Sequence, residues 1–118
     1  MRRYMRLLTK AFKALSDSNR IRILKMLEIR PLCVCEITEV LGLAASTVSK
    51  HLSILRDAEF ILDNKEGKWV NYYLNDKNDN TITEYLLPLI KSSLPDEETI
   101  KQDIQKVKTV DRTTLCGV

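Results

Sequence analysis

The sequence is poor in the residues on which several common kinds of site depend. It has one histidine, three glycines and three cysteines in 118 residues, and aromatic residues make up only 6% of it. A single histidine argues against histidine-based catalysis and histidine-rich metal sites, and three glycines argue against a phosphate-binding loop. No apolar run is long enough to cross a membrane. We expect no export signal, because Lys10 and Lys13 interrupt any apolar core near the N-terminus.

The composition is that of one folded domain with an uneven charge distribution. Hydrophobic residues make up 44% and charged residues 30% of the chain, which is enough to build a packed core. The net charge is only +3, yet residues 1–30 hold nine basic and two acidic residues. This asymmetry indicates a basic face. Three cysteines without an export signal indicate reduced thiols and a cytoplasmic protein.

Hydrophobic periodicity predicts a mainly α fold with one β-hairpin. Predicted helices cover residues 4–15, a second segment that ends at 27, and residues 33–41, 45–58 and about 81–93, with a last one after Pro95; strands cover 60–63 and 69–74, with a turn at 64–68. Pro88 predicts a kink or a break in the fifth helix. We expect residues 1–93 to form one DNA-binding and dimerisation domain, and residues 94–118 an amphipathic helix and a flexible tail.

The order of these elements is that of a winged helix-turn-helix. A short helix is joined by a turn containing Gly42 to a helix with a polar face, and a hairpin with two lysines follows. Candidate DNA-binding residues of that helix and its wing are Ser46, Thr47, Ser49, Lys50, Ser53, Lys65 and Lys68. Hydroxyls can meet base edges or phosphates, and lysine can meet phosphates or guanine. A merely solvated helix face and a solvated turn are the alternative interpretations.

Cys33-Val34-Cys35 is the most unusual segment of the chain. On an ideal helix, residues two apart point to nearly opposite sides, so one ion could bind both thiolates only if the turn unwound. A helix N-terminus is expected to lower thiol pKa values. A tetrathiolate site needs four sulfurs, and the chain offers three even with Cys116 as a further ligand. Three-coordinate As(III) or Sb(III) matches this number of sulfurs better. The alternative is that both cysteines are small core residues.

Two apolar stripes are larger than a monomer of this size readily covers. They consist of Leu7, Leu8 and Phe12 in the first helix and Tyr85, Leu86 and Leu89 in the helix after the hairpin. We therefore expect a homodimer in which these stripes meet across a twofold axis.

Four segments of the sequence resemble one known family. They are residues 15–24 (LSDSNRIRIL), 32–37 (LCVCEI), 46–58 (STVSKHLSILRDA) and 67–74 (GKWVNYYL). Together they resemble the ArsR/SmtB metalloregulatory repressors, and specifically their arsenic-responsive branch. The resemblance implies a homodimeric repressor that binds an inverted repeat and leaves it when metalloid binds Cys33 and Cys35. It also implies that His51 belongs to the DNA-binding set.

The chain departs from the family pattern at three positions. Thr38 stands where some arsenic sensors have a third cysteine, Ala44 where the recognition helix often has a serine cap, and Pro88 within the presumed dimer helix. The sequence thus predicts an As(III)- or Sb(III)-responsive, non-enzymatic repressor of double-stranded operator DNA that needs no cofactor to bind it.

Other functions remain open on the residues alone. A regulator of the same fold could sense Cd(II), Pb(II) or a thiol oxidant through the same pair. A thiol oxidoreductase would need more strands than this chain offers, and a protein-binding winged helix would have no salt-dependent affinity for DNA.

Overall fold

A computed structural model describes residues 2–77 and 79–115. Its elements are α1 (Arg2–Leu15), α2 (Ser18–Leu27), β1 (Leu32–Cys33), α3 (Val34–Leu41), α4 (Ala45–Asp57), β2 (Ile61–Glu66), β3 (Trp69–Leu74), α5 (Thr81–Lys91), α6 (Glu98–Val107) and α7 (Arg112–Leu115). The mainly α fold with an antiparallel hairpin is therefore confirmed. Cys116 lies outside the described residues.

Local signals in the sequence set the ends of the helices around the helix-turn-helix. Asp17 precedes α2 and accepts hydrogen bonds from the backbone N–H groups of Asn19 at 2.8 Å and Arg20 at 3.2 Å. Gly42 ends α3 with a φ of 70°, a left-handed conformation that glycine adopts without strain. Ala44 precedes α4 and offers no side-chain cap, so this helix depends on tertiary packing more than α2 does.

The wing differs from the predicted hairpin in length and in strand number. β2 continues to Glu66, so the turn is a two-residue loop in which Gly67 has a φ of 61°, as expected of the first position of a type II′ turn. Lys65 consequently lies on the strand, opposite Val70, and not at the tip. A third strand, β1, pairs with β3 and gives the order β1-β3-β2. Its two residues were too few to produce a periodic signal.

One apolar core joins the helices to the sheet. Its fully buried members include Ile23, Leu24, Ile37, Leu52, Phe60 and Val107. α6 packs against both α2 and α3. Arg22 on α2 also donates to both carboxylate oxygens of buried Asp103 on α6, at 2.8 and 2.9 Å. The segment after residue 93 therefore shares the core of the preceding residues.

Pro88 does not break α5. The helix continues from Thr81 to Lys91, and the backbone N–H of Ser92 donates to the Pro88 carbonyl at 3.1 Å. Pro88 lies in the last turns of the helix, so its missing N–H removes a single helical bond, to the carbonyl of Glu84. Of the two predicted outcomes, a kink or a break, the break is therefore wrong.

Candidate DNA-binding surface and thiol site

The polar face of α4 is exposed as a recognition helix requires. Val48, Leu52 and Leu55 are completely buried, and these contacts fix the orientation of the helix. The opposite side exposes Ser46, Thr47, Ser49, Lys50 and Ser53. Short hydroxyls and a single long cation would let this face approach the floor of a major groove.

His51 has a different environment from the other candidates on α4. It is half-buried, and its Nδ1 lies 3.1 Å from Nη1 of Arg20. Arg20 also donates to the carbonyls of Ala14 at 2.8 Å and Lys13 at 3.0 Å. One guanidinium thus joins the end of α1, the start of α2 and the recognition helix. This ring nitrogen of His51 is therefore engaged in a contact between helices, and the assignment of His51 to the DNA-binding set stays a prediction.

The wing lysines occupy two different positions. Lys65 is exposed on β2, and Lys68 is exposed in the turn, with its ammonium 4.8 Å from the centre of the Trp69 ring. Between them in sequence lies Glu66, which is ion-paired with Arg112 of α7. The wing therefore carries both signs of charge, and its acid is paired by a residue from the C-terminal segment.

The two cysteines of the thiol pair have different backbone conformations. Cys33 is the last residue of β1, with φ −93° and ψ 170°, whereas Cys35 lies in the first turn of α3. The expectation that both lie on one helix is therefore wrong. Cys33 pairs with Asn71 of β3, so the thiol pair sits where the sheet meets α3. Cys33 is buried, whereas Cys35 is half-buried and disulfide-bonded. The expectation of reduced thiols is therefore wrong for Cys35 in this structure.

Glu36 forms a capping box with Cys33. The backbone N–H of Cys33 donates to Oε1 of Glu36 at 3.0 Å, and the Cys33 sulfur accepts from the backbone N–H of Glu36. Burial raises the pKa of the Cys33 thiol, and the Glu36 carboxylate adds to this effect. The expected lowering of the pKa by the helix N-terminus is therefore wrong for Cys33, because desolvation outweighs the favourable backbone hydrogen bonds.

Arg30 connects the thiol site to the end of α6. Its Nη2 donates to Oε2 of Glu36 at 3.1 Å and to the carbonyls of Val107 and Val110 at 3.1 and 3.0 Å. Next to this network a polar cleft of about 730 Å³ opens between the wing and the C-terminal segment. Glu36, which is only 4% exposed, is therefore satisfied on both oxygens, by Cys33 and by Arg30.

The residues that directly precede Cys116 are helical, whereas the sequence predicted a flexible tail after the amphipathic helix. Residues 112–115 form α7, which packs against α3, and Arg112 contacts the wing. Within residues 2–77 and 79–115 there is no cluster of three histidine, cysteine or carboxylate side chains able to hold a metal ion. Cys116 directly follows α7 in the sequence and lies outside the described residues.

The two predicted dimer stripes form adjacent surfaces, since α1 packs against α5. Leu8, Phe12, Tyr85 and Leu89 are between 45% and 75% exposed, and Tyr4 and Met5 extend the surface. Leu7 and Leu86 are half-buried, and Leu86 packs against the core. Such a continuous apolar surface is typical of a protein interface.

Sequence reasoning missed the polar contacts that surround the thiol pair. Arg30, Asn71 and Arg112 carry no periodic or motif signal, and their partners lie up to 80 residues away in the chain. One cue was available: Glu36 stands three residues after Cys33, the spacing of a capping box.

Comparison with known proteins identifies the family. The family model described as "Bacterial regulatory protein, arsR family" matches residues 17–62, which span α2 to β2. The arsenical resistance operon repressor of Bacillus subtilis (strain 168) is 40% identical over 70 residues, which are 58% of this chain and 67% of that protein.

The chain belongs to the arsR family of bacterial regulatory proteins.

Two further relatives differ in the resistance that their names state. The arsenical resistance operon repressor of Escherichia coli (strain K12) is 42% identical over 65 residues, 54% of this chain and 56% of that protein. A cadmium resistance regulatory protein, the CadC homolog of Staphylococcus aureus, is 37% identical over 76 residues, 64% of this chain and 63% of that protein. The ArsR-family chain thus spans little more than half the length of the Escherichia coli repressor.

Solved structures have the same fold. HlyU from Vibrio cholerae N16961 is 30% identical with a TM-score of 0.59, and the match covers 75% of this chain and 97% of that one. A homodimeric winged helix-turn-helix DNA-binding domain from Mycobacterium bovis has a TM-score of 0.64 at 22% identity, covering 75% and 78%. The fold is therefore a winged helix-turn-helix.

Over residues 2–77 and 79–115, no helix is both long and apolar enough to cross a bilayer.

Proposed function

We propose that the protein is a cytoplasmic transcriptional repressor that binds operator DNA as a homodimer and releases it when As(III) or Sb(III) binds. The observation that carries this proposal is the position of Cys33 and Cys35. Cys33 belongs to β1, which pairs with the wing, and Cys35 belongs to α3, which packs on the recognition helix. Names of related arsenical resistance repressors support the choice of inducer.

The DNA-binding part rests on exposure and charge. Ser46, Thr47, Ser49, Lys50 and Ser53 are exposed together on α4, and Lys65 and Lys68 are exposed on the wing. In a dimer, two such helices would enter successive major grooves of an inverted repeat, with both wings beside the backbone. The apolar surface of α1 and α5 supplies the twofold contact in this proposal. DNA binding needs no cofactor here.

The inducer chemistry is thiol-for-hydroxide exchange at arsenic, and it starts from the reduced protein, because the structure has Cys35 in a disulfide. Arsenite, As(OH)₃, forms one As–S bond with each thiol, and each thiol proton leaves with a hydroxide as water. Cys33 and Cys35 supply two sulfurs, and we assign the third to Cys116, of the same chain or of its partner. Thr38 does not fit this role, since its neutral hydroxyl suits a soft ion poorly and donates to the Cys35 carbonyl at 2.7 Å.

The chelate would act first on the capping box. An As–S bond at Cys33 competes with the hydrogen bond that its sulfur accepts from Glu36, and drawing the two thiols together changes the turn at the start of α3. Since α3 leads through Gly42 directly into α4, this change displaces the recognition helix. In a dimer, a small displacement of the recognition helix in each subunit is enough for the two helices no longer to match the spacing of the two half-sites.

Three serine variants test the proposal on a promoter fragment from beside the native gene. Cys33→Ser and Cys35→Ser are expected to bind the fragment like the wild type but to stay bound in arsenite. Cys116→Ser, the matched control in the tail, should still release DNA, at a higher arsenite concentration. Gel-shift titration measures both properties. Loss of induction only in Cys116→Ser would show that the switch lies in the tail.

A second inducer is favoured by one comparison, the relative named for cadmium resistance. Cd(II), unlike arsenite, brings no hydroxide, so each thiol that binds it releases a proton to solution. Titration in a weak buffer with a pH indicator therefore distinguishes the two ions. Release of DNA by Cd(II) with proton release, and no response to arsenite, would favour the alternative. Release by peroxide alone would indicate an oxidant sensor.

A further inference from the structure

The C-terminal segment contributes a side chain to the wing. The guanidinium carbon of Arg112 lies 4.2 Å from the centre of the Trp69 ring. Its Nη1 donates to Oδ1 of Asn71 at 2.9 Å, and its Nη2 donates to the carboxylate of Glu66. Glu66 belongs to β2, whereas Trp69 and Asn71 belong to β3. One side chain from α7 therefore holds both strands of the hairpin.

The charge of the wing depends on this contact. Lys65, Glu66 and Lys68 are all exposed near the tip. An unpaired carboxylate between two lysines would repel a phosphate backbone and cancel part of their attraction. Arg112 pairs with Glu66 and thereby changes the wing from a mixed surface to a basic one.

The geometry of the contact also requires an arginine. A guanidinium is planar and can stack on an aromatic ring while its edge donates in two directions, which a lysine ammonium cannot do. The face of the Arg112 guanidinium stacks on the ring of Trp69, and its edge donates to Asn71 and Glu66. The contact therefore fixes the hairpin in one orientation as well as neutralising its acid.

We propose that Arg112 is a positioning residue for DNA binding, so that the C-terminal segment forms part of the DNA interface in each subunit. Arg112 keeps Glu66 away from the phosphates and holds the wing in the orientation in which Lys65 and Lys68 face them. This inference rests on the proposed function only in assuming that the wing lies beside DNA, and it does not depend on any inducer.

The test is operator affinity of the full-length dimer by fluorescence anisotropy, without inducer. We expect Arg112→Ala to weaken binding about fivefold, as loss of an exposed ion pair in each subunit allows. Adding Glu66→Gln to Arg112→Ala should raise affinity at least about twofold above that of Arg112→Ala, because the acid is then gone while the contacts to Trp69 and Asn71 remain lost. Arg112→Lys should be intermediate. Lys108→Ala, which removes an exposed cation from the wall of the same cleft, is the control and should change affinity little.

Several results would overturn the inference. These are wild-type affinity in Arg112→Ala, an equal loss in Lys108→Ala, or no rescue by Glu66→Gln, since a merely structural arginine would not be rescued by removing its acid. Thermal unfolding shows whether each variant is folded, and Arg112→Lys tests the contact if Arg112→Ala is not. If Lys65→Ala and Lys68→Ala also leave affinity unchanged, the wing is not at the DNA and the proposed function fails at that point.

Discussion

The recognition helix and the wing are held in place by different forces. α4 is anchored by Val48, Leu52 and Leu55, which are completely out of contact with solvent. The wing extends from the core and is held near its tip by exposed polar and ring contacts to Arg112. Apolar burial is strong and insensitive to salt, whereas exposed ion pairs are weak and screened by it.

Because of this difference, the recognition helix and the wing have different roles. A helix fixed by burial keeps its side chains in register with base edges, and it moves only when its neighbour α3 moves. The wing depends on a few polar and ring contacts for its orientation, so the loss of one of them changes that orientation more readily than it would move α4. The thiol pair lies between them, since Cys33 pairs with Asn71 of the wing and Cys35 starts the helix that packs on α4.

The largest effect should come from opening the core beneath the recognition helix. Leu52→Ala removes a completely buried side chain and should lower the free energy of unfolding by about 2–5 kcal/mol. Urea denaturation measures this loss. Ser53→Ala, on the exposed side of the same helix, should change it by less than about 0.5 kcal/mol. Equal effects would mean that burial does not anchor α4.

The next effect concerns the buried ion pair that fixes α6. Arg22→Ala leaves the carboxylate of Asp103, which is 2% exposed, without its bidentate partner. We expect a loss of about 3 kcal/mol in the free energy of unfolding. Lys91→Ala breaks the exposed pair with Asp76 and should cost less than about 1 kcal/mol. A small loss in Arg22→Ala would place α6 outside the cooperative core.

Two substitutions on α4 should separate base contacts from phosphate contacts. Ser49→Ala should lose about 1 kcal/mol of binding free energy on the operator and little on random DNA. Lys50→Ala should weaken binding to both DNAs and reduce the slope of log affinity against log salt by about one for each lysine lost. Anisotropy titrations over a range of salt concentrations measure both quantities. If Ser49→Ala weakens binding to random DNA as much as binding to the operator, Ser49 does not contact bases.

The smallest effect concerns the cap of α2. Burial alone would raise the pKa of Asp17, but hydrogen bonds from the backbone of Arg20 and Asn19 outweigh it and lower the pKa. A lowered pKa stabilises the folded state above the ordinary pKa of aspartate, and this stabilisation is lost as pH falls through the folded value.

Two variants isolate that effect. Asp17→Ala should lose about 1 kcal/mol of stability near pH 7, and the difference from wild type should shrink in acid. Asp17→Asn retains a cap that does not titrate, so the free energy of unfolding of this variant should lack the pH dependence that Asp17 contributes. Unfolding measured from pH 7 down to acid would contradict the account if Asp17→Asn follows the wild type throughout.

The fold was predictable where it depends on local signals. Val48, Leu52 and Leu55 repeat at helical spacing, and Gly42 and Asp17 mark helix ends, so α2, α3 and α4 followed from the residues. Hydrophobic patterning also gave the strands of the hairpin. β1 did not follow, because its pairing partner lies 38 residues further along the chain and two residues show no period.

The candidate site was predictable in its residue types but not in its surroundings. Cys33 and Cys35 are visible as an unusual pair, and the polar face of α4 follows from its buried face. The pKa of Cys33 did not follow, because burial is set by the whole fold. The contacts of Arg30 and Arg112 are polar, exposed in part and distant in sequence, and nothing in the neighbouring residues specifies their partners.

The most direct test of the central claim is the affinity of arsenite for the protein with and without operator. If metalloid bound at Cys33 and Cys35 weakens operator binding, then operator must weaken metalloid binding by the same factor. Equilibrium dialysis of arsenite against the wild-type dimer, free and saturated with operator, measures this factor. We expect at least about a fivefold weaker affinity in the complex, matching the loss of operator affinity in arsenite. Equal arsenite affinity in both states would contradict the account.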